Sequence, residues 1–103
     1  MSPRVELVLP DGSRISAAGD VEMGRDVGDG RISAALSGFD GVSRRHAVIS
    51  IRADGVWVRD AGSTNGTFLD GRPVRTESRV AGRHATVGLG RRAIVSLVIG
   101  DER

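Results

Sequence analysis

Short apolar stretches with a two-residue period, separated by Asp-Gly pairs, constrain the fold of this chain more than any other feature. An apolar side chain at every second position is typical of a strand with one buried face, and Asp-Gly favours a tight hairpin turn. Four stretches carry the pattern: residues 5–9 before Asp11-Gly12, residues 47–58 around Asp54-Gly55, residues 67–74 around Asp70-Gly71, and residues 93–99. The sequence therefore predicts an all-β chain of antiparallel hairpins, and so many short strands favour a β-sandwich.

The chain is short, and its 103 residues are predicted to form one domain, residues 1–103, either alone or within a longer protein. Only residues 32–36 could begin a helix, and Gly38 and Gly41 end it soon. The chain has no cysteine, which excludes disulfides and thiolate metal sites. No apolar run approaches the roughly 18 residues that span a membrane, and no signal peptide is visible, so we expect a cytoplasmic location without membrane insertion.

Charge is unevenly distributed along the chain. Every basic residue is an arginine, which is compatible with a GC-rich bacterial genome. Residues 1–71 carry eight arginines and ten carboxylates, whereas residues 72–92 carry six arginines and one glutamate. Such a basic stretch is usually a solvated face, and the alternative is a surface that attracts a partner.

Three polar clusters fall between the predicted strands: Gly24-Arg25, Ser43-Arg44-Arg45-His46, and residues 60–67. Loops on a rigid sandwich are where binding residues concentrate. A phosphate dianion favours a guanidinium fork together with neutral donors, and arginine followed by hydroxyls in two later loops supplies both. The clusters therefore predict a phosphate-binding site.

The glycine-rich segment 62–67 has two other interpretations. A nucleotide-binding Walker A loop ends in Gly-Lys-Ser/Thr and leads into a helix, but this chain has no lysine and strand residues follow. A plain turn at Asn65-Gly66 is the simpler alternative, although short polar side chains beside exposed backbone N–H groups can still bind phosphate.

Catalysis is a further alternative, because Ser43, His46 and Asp60 are the residue types of a nucleophilic triad. No Gly-x-Ser-x-Gly elbow is present, and His46 stands at the start of a strand, where a structural hydrogen-bonding role is more common. His46 and His84 are the only imidazoles and lack ligand-like spacing to carboxylates. We therefore expect no enzyme activity, no metal and no cofactor.

Taken in order, the three clusters resemble the forkhead-associated (FHA) domain, and the resemblance covers nearly the whole chain. It implies a β-sandwich of about eleven short strands, whose loops at one end recognise phosphothreonine peptides and whose last strand, here residues 95–99, pairs near the first. It assigns roles to nine residues: phosphate contact to Arg25, Ser43, Arg44 and Thr64, peptide-backbone contact to Asn65, and support of the site to Gly24, His46, Gly66 and Thr67.

Two departures from the family pattern are visible. Residues 27–41 make the connection between Arg25 and Ser43 a few residues longer than in a typical member, so the path of this loop is not readable. Gly82-Arg83 stands where the family has Gly-Asp, a change that we expect to affect a turn rather than the site.

The resemblance predicts an adaptor that binds a phosphothreonine-containing protein, either a Ser/Thr kinase or a kinase substrate. A phospho-independent interaction or oligomerisation module that uses the basic stretch Arg72–Arg92 is the alternative. Nucleic-acid binding through that stretch is disfavoured, because aromatic residues make up only 3% of the chain and offer few stacking platforms.

Overall fold

The computed structural model describes residues 3–101, and its strands form two antiparallel sheets. Within these residues the chain forms ten strands and one helix: β1 (Pro3–Val8), β2 (Arg14–Ala17), β3 (Val21–Met23), α1 (Gly30–Leu36), β4 (Ala47–Arg52), β5 (Gly55–Asp60), β6 (Thr67–Leu69), β7 (Arg72–Pro73), β8 (Glu77–Arg79), β9 (His84–Leu89) and β10 (Ala93–Asp101).

One sheet has six strands in the order β2-β1-β10-β9-β6-β7, and the other has four in the order β3-β4-β5-β8. The antiparallel β-sandwich predicted from the alternating pattern is thus confirmed. Ten strands are described where about eleven were expected, and the long connection between β3 and β4 contains α1.

The core lies between the sheets and is built from the alternate residues of each strand. In β1 and β10, Val5 pairs with Ile99 and Leu7 with Leu97, and three of these four side chains are fully buried, with Ile99 packed against the core. The expected pairing of the last strand with the first is therefore confirmed. Burial of such aliphatic side chains supplies most of the driving force for closing the two sheets.

Strand β9 lies at the centre of the larger sheet, between β10 and β6, and the sequence analysis did not assign it. Ala85, Val87 and Leu89 are buried, whereas His84 and Thr86 are exposed. This is the same two-residue period as in the other strands, but it lies inside the basic stretch, for which the charge pattern predicts a solvated face. The arginines of the stretch are exposed, whereas β9, between Arg83 and Arg91, contributes its alternate residues to the core.

Strand β9 also divides the basic stretch. Its six residues span about 20 Å at the usual rise per residue, so Arg83 before the strand and Arg91 and Arg92 after it lie at opposite ends of the sandwich. Arg79 is in β8 of the other sheet. The six arginines therefore do not form one continuous basic face.

Helix α1 orders the long connection whose path the sequence left open. Asp29 caps its N-terminus by accepting a hydrogen bond from the Arg31 N–H, and the Arg31 guanidinium also pairs with this carboxylate. These hydrogen bonds lower the pKa of Asp29, and the largest contribution comes from the Arg31 side chain. Ile32 and Leu36 on the inner face are almost fully buried, so the helix closes over the core. No helix within residues 3–101 has the length and apolar character needed to cross a membrane.

The β6–β7 hairpin shows why an Asp-Gly pair terminates a strand here. Leu69 pairs with Arg72, so Asp70 and Gly71 are the two turn residues, and both have positive φ, 49° and 82°. Positive φ at both central positions is the type I′ turn, whose twist matches that of the flanking strands. The Asp70 carboxylate also accepts the Thr86 N–H at 2.8 Å, which ties the turn to β9.

We predict that Gly71→Ala lowers the free energy of unfolding by about 1–2 kcal/mol, because an L side chain in this left-handed conformation is strained. A Cβ at Gly71 would meet no atom within 4 Å, so the cost is conformational and not steric. Gly19→Ala is the matched control, since Gly19 has equal space and no positive φ. Urea unfolding of both variants measures the difference, and equal stabilities would contradict the prediction.

Candidate functional site

Three loops and one turn meet at one end of the sandwich. We name them the arginine loop (residues 24–29), the serine loop (residues 37–46), the asparagine loop (residues 61–66) and the β9–β10 turn (residues 90–92). Backbone hydrogen bonds join the first to the second, the second to the third and the third to the turn. The three clusters that the sequence analysis singled out are therefore adjacent in space.

A very close backbone approach joins the arginine and serine loops. A Cβ at Gly24 would lie 2.1 Å from the carbonyl oxygen of Arg44, so only glycine fits there. The Arg25 N–H then donates to the carbonyl of Ser43 at 3.1 Å, and the Asp26 N–H donates to that of Arg44 at 3.0 Å. Gly24 thus supports the site by letting Arg25 and Ser43 stand side by side.

The Arg25 side chain is exposed and held by one bond, from its Nε to the carbonyl of Val42. Its two terminal nitrogens contact no acceptor among residues 3–101. This arrangement fixes the direction of the guanidinium while leaving two N–H edges available. A guanidinium offered in this way suits bidentate binding of a phosphate or carboxylate.

His46 is fully buried, and its ring links the serine loop to the asparagine loop. Its Nδ1 accepts the Ser43 N–H at 3.0 Å, and because a backbone N–H can only donate, Nδ1 carries no proton. Nε2 is therefore protonated and donates to the carbonyl of Gly66 at 2.7 Å. The same carbonyl accepts the Gly90 N–H at 2.9 Å.

This geometry does not assemble a nucleophilic triad. Both ring nitrogens of His46 are bonded to backbone groups, and the Ser43 hydroxyl accepts the Thr64 N–H at 3.1 Å. The Asp60 carboxylate is bonded within its own loop and not to the imidazole. Among residues 3–101 no three His, Asp or Glu side chains are grouped so as to hold a metal ion.

Asp60 and Ser63 organise the asparagine loop, although the sequence analysis did not assign them to the site. The Asp60 carboxylate accepts hydrogen bonds from the N–H groups of Gly62 and Ser63 and from the hydroxyls of Ser63 and Thr67. The Ser63 hydroxyl in turn accepts the Gly66 N–H at 3.0 Å. An aspartate followed by Gly, Ser and Thr within seven positions is the pattern of such a turn and is readable in the sequence.

These four donors stabilise the negative charge of the Asp60 carboxylate. Partial burial raises the pKa of this carboxyl, but the hydrogen bonds from Ser63, Thr67 and the backbone N–H groups outweigh it and lower the pKa below its ordinary value. Thr67 is almost fully buried, so its hydroxyl is dedicated to this carboxylate. Asp60 therefore remains ionised while presenting little free negative charge to the site.

Thr64 and Asn65 are exposed at the tip of the asparagine loop, beside Ser43. The Asn65 Nδ2 donates to the carbonyl of Gly41 at 2.9 Å, and the Oδ1 of this exposed side chain accepts no hydrogen bond from residues 3–101. Arg25, Ser43, Thr64 and Asn65 thus share one surface. It offers a guanidinium, two hydroxyls and an amide, which are groups suited to pair with and hydrogen-bond an oxyanion.

Arg44 follows Ser43 in the chain, and its carbonyl accepts the Asp26 N–H at 3.0 Å. Its exposed side chain lines an open cavity together with Arg45 and residues 26–28. Both arginines make no ion pair with the described residues. A contact between Arg44 and a phosphate group stays a prediction.

Comparison with known proteins agrees with this geometry. The family model of the FHA domain matches residues 21–90, which contain all three loops and the first residue of the β9–β10 turn. A search of curated proteins gives no match.

Solved FHA domains have the same fold over almost the whole chain. The first FHA domain of Rv1747 from Mycobacterium tuberculosis is 24% identical, with a TM-score of 0.74, over 97% of this chain and 99% of that one. A domain from a structural and functional analysis of phosphothreonine-dependent FHA domain interactions is 27% identical, with a TM-score of 0.70, over 97% and 98% of the two chains. The FHA domain of FhaA, solved in complex with the intracellular domain of Rv3910, is 28% identical, with a TM-score of 0.64, over 90% and 98%.

We predict that His46→Ala lowers the free energy of unfolding by about 2–4 kcal/mol, because it opens a cavity and leaves the partly buried Ser43 N–H without its acceptor. His84→Ala is the control: His84 is exposed on β9, and its loss changes stability by less than about 0.5 kcal/mol. Denaturant unfolding of the two histidine variants provides the measurement. Equal effects would show that the ring does not hold the loops.

We predict that Asp60→Asn lowers the free energy of unfolding by about 1–3 kcal/mol at pH 7 and by less at pH 3. The pKa of Asp60 is lower in the folded state, so its ionised form stabilises the fold above the unfolded pKa of about 3.9. That contribution is lost as the pH falls through the folded pKa. Asp40→Asn is the control, since this exposed carboxylate makes no hydrogen bond with the described residues. A difference between wild type and Asp60→Asn that is constant from pH 7 to pH 3 would contradict the prediction.

Proposed function

The chain belongs to the forkhead-associated (FHA) domain family, and we propose that it binds phosphothreonine-containing segments of partner proteins. The observation that carries the proposal is the Arg25 guanidinium, held by the Val42 carbonyl with its terminal nitrogens free, next to the hydroxyls of Ser43 and Thr64. Together these groups would form a pre-organised binding site for a phosphate group.

A phosphothreonine side chain matches this receptor in charge and in hydrogen-bonding capacity. It carries about −1.5 to −2 charges at pH 7 and three acceptor oxygens. Arg25 supplies a two-pronged positive donor, and Ser43 and Thr64 supply neutral hydroxyls. The hydroxyl hydrogen of Ser43 is free to donate, because its oxygen is the atom that accepts the Thr64 N–H. The bound phosphate is thereby held at several oxygens with no group placed to hydrolyse it.

Asn65 extends the site from the phosphate to the chain that carries it. Its Nδ2 donates to the Gly41 carbonyl, and its Oδ1 remains available to accept a peptide N–H. Preference for threonine over serine would come from the γ-methyl, which contributes about 0.8 kcal/mol on burial, together with the restricted rotamers of a β-branched side chain.

We propose that the partner is a Ser/Thr kinase or one of its substrates and that the chain is a non-enzymatic adaptor of bacterial signalling. Two of the similar domains support this proposal: one was solved in a study of phosphothreonine-dependent interactions, and FhaA was solved with a partner protein domain. That partner domain is intracellular, which supports a cytoplasmic place of action.

We predict that calorimetry with the tightest-binding peptide of a degenerate phosphothreonine library gives binding only when the threonine is phosphorylated. Arg25→Ala weakens this binding by about 10- to 100-fold, since it removes a charge-assisted pair of hydrogen bonds. Ser43→Ala weakens it by about 5- to 10-fold, the value of one neutral hydrogen bond.

Arg72→Ala is the matched control, because Arg72 is an exposed arginine at the far end of the β6–β7 hairpin. We expect Arg72→Ala to bind the phosphorylated peptide with the wild-type affinity. Equal affinity for the phosphorylated and unphosphorylated peptides, or unchanged affinity in Arg25→Ala, would refute the proposed function. Loss of binding in Arg72→Ala with retention in Arg25→Ala would favour the phospho-independent alternative through the basic stretch.

A further inference from the structure

An open cavity of about 660 Å³ adjoins the proposed phosphothreonine site. The serine loop forms one wall of the cavity, the tip of the asparagine loop forms another, and the β9–β10 turn forms the third. Thr64 and Asn65 belong both to the site and to the lining. A peptide held at Asn65 therefore has this cavity immediately beside it, and its volume accommodates more than one side chain.

The wall formed by the β9–β10 turn is held firmly against the other two. Gly90 has a positive φ of 71°, and its N–H donates to the Gly66 carbonyl at 2.9 Å. A Cβ at Gly90 would lie 3.1 Å from the carbonyl oxygen of Gly41 and 3.5 Å from the Cβ of Asn65. The turn is thus positioned by the Gly66 carbonyl, which also accepts the Nε2–H of the buried His46. The two residues that follow Gly90 are set at the cavity by this packing.

Those residues, Arg91 and Arg92, line the cavity and are exposed. Neither makes an ion pair with any residue between 3 and 101. Some exposed arginines of this chain are paired with a carboxylate, such as Arg14 with Glu6 at 2.9 Å, whereas Arg44 and Arg45, like Arg91 and Arg92, are not. One carboxylate, Asp40, also lines the cavity, so two positive charges face one negative charge.

The two arginines share the cavity with apolar residues. Phe39, Val42 and Leu89 form part of its lining, and Val42 and Leu89 are almost fully buried. Two like charges in one concave surface attract a carboxylate more strongly than either charge alone. Arginine is also well suited to bind carboxylates through its planar fork.

We infer that Arg91 and Arg92 select acidic side chains, aspartate or glutamate, on the same peptide segment that carries the phosphothreonine. This inference rests on the proposed function, because it assumes that the segment is held at Arg25, Ser43 and Asn65. The partner is therefore a phosphorylated segment with at least one carboxylate a few residues from the phosphothreonine.

A phosphothreonine peptide library with degenerate flanking positions tests the inference on wild type and on the double variant Arg91→Glu/Arg92→Glu. Wild type enriches Asp and Glu at one or more positions on one side of the phosphothreonine. The double variant loses this enrichment and favours Lys and Arg at the same positions. Asp40→Asn strengthens the acidic preference, because it removes the opposing charge. Arg72→Glu leaves the preference unchanged.

Calorimetry with paired peptides that carry Glu or Gln at the selected position gives the size of the effect. Wild type binds the Glu peptide about three- to tenfold more tightly, as expected for one or two partly screened ion pairs. Arg91→Gln/Arg92→Gln binds the two peptides equally and still requires the phosphate. This neutral variant keeps the test decisive if charge reversal disturbs folding.

The outcomes separate the two proposals. Phosphate-dependent binding by wild type without an acidic preference, or with a preference unchanged in both double variants, overturns the inference and leaves the proposed function standing. Failure of wild type to bind any phosphothreonine peptide overturns both.

Discussion

The hydrogen bonds of the buried His46 imidazole are the interaction on which the candidate site depends. Its Nδ1 takes the Ser43 N–H and its Nε2 donates to the Gly66 carbonyl, which also receives the Gly90 N–H. One ring and one carbonyl therefore connect the serine loop, the asparagine loop and the β9–β10 turn. Because the ring is fully buried and bonded at both nitrogens, shifting any of these segments would leave a polar group without a partner away from water.

Around this connection the polar residues divide into two groups with different tasks. Asp60, Ser63 and Thr67 bond to one another and to the backbone, and they present little unpaired charge. The exposed Arg25 side chain, by contrast, makes a single hydrogen bond within residues 3–101, from its Nε, and its terminal nitrogens have no acceptor there. The hydrogen bonds within the first group fix the conformation of the asparagine loop. Binding of a ligand would therefore not have to order this loop first. The carboxylate of Asp60, which would otherwise repel a phosphate, is occupied by four donors.

How far the sequence predicted this arrangement depends on the range of the interaction. The hairpin at Asp70-Gly71 and the short helix were predictable because each depends on neighbouring residues, and the sandwich followed from the alternation. Strand β9 was missed although Ala85, Val87 and Leu89 alternate correctly, because the arginines on either side dominated the interpretation of the segment. β3 and β8, with three residues each, are too short to show a period at all. The order of the clusters identified the family, and Arg25, Ser43, Thr64 and Asn65, which it assigned to the site, lie in neighbouring loops.

By itself the sequence determined the features that depend on neighbouring residues or on residue type alone. These are the alternation that makes strands, the glycines that permit positive φ, and the residue types that suit a phosphate. Only the tertiary structure decided which groups separated along the chain would meet. It determined the tautomer of His46, since that follows from the backbone groups at each ring nitrogen. It also brought Arg91 and Arg92 beside Asn65, while β9 carried Arg83 to the opposite end. The physical reason is that hairpin and turn preferences act between neighbours, whereas the position of a charge in space depends on the register and order of every strand between.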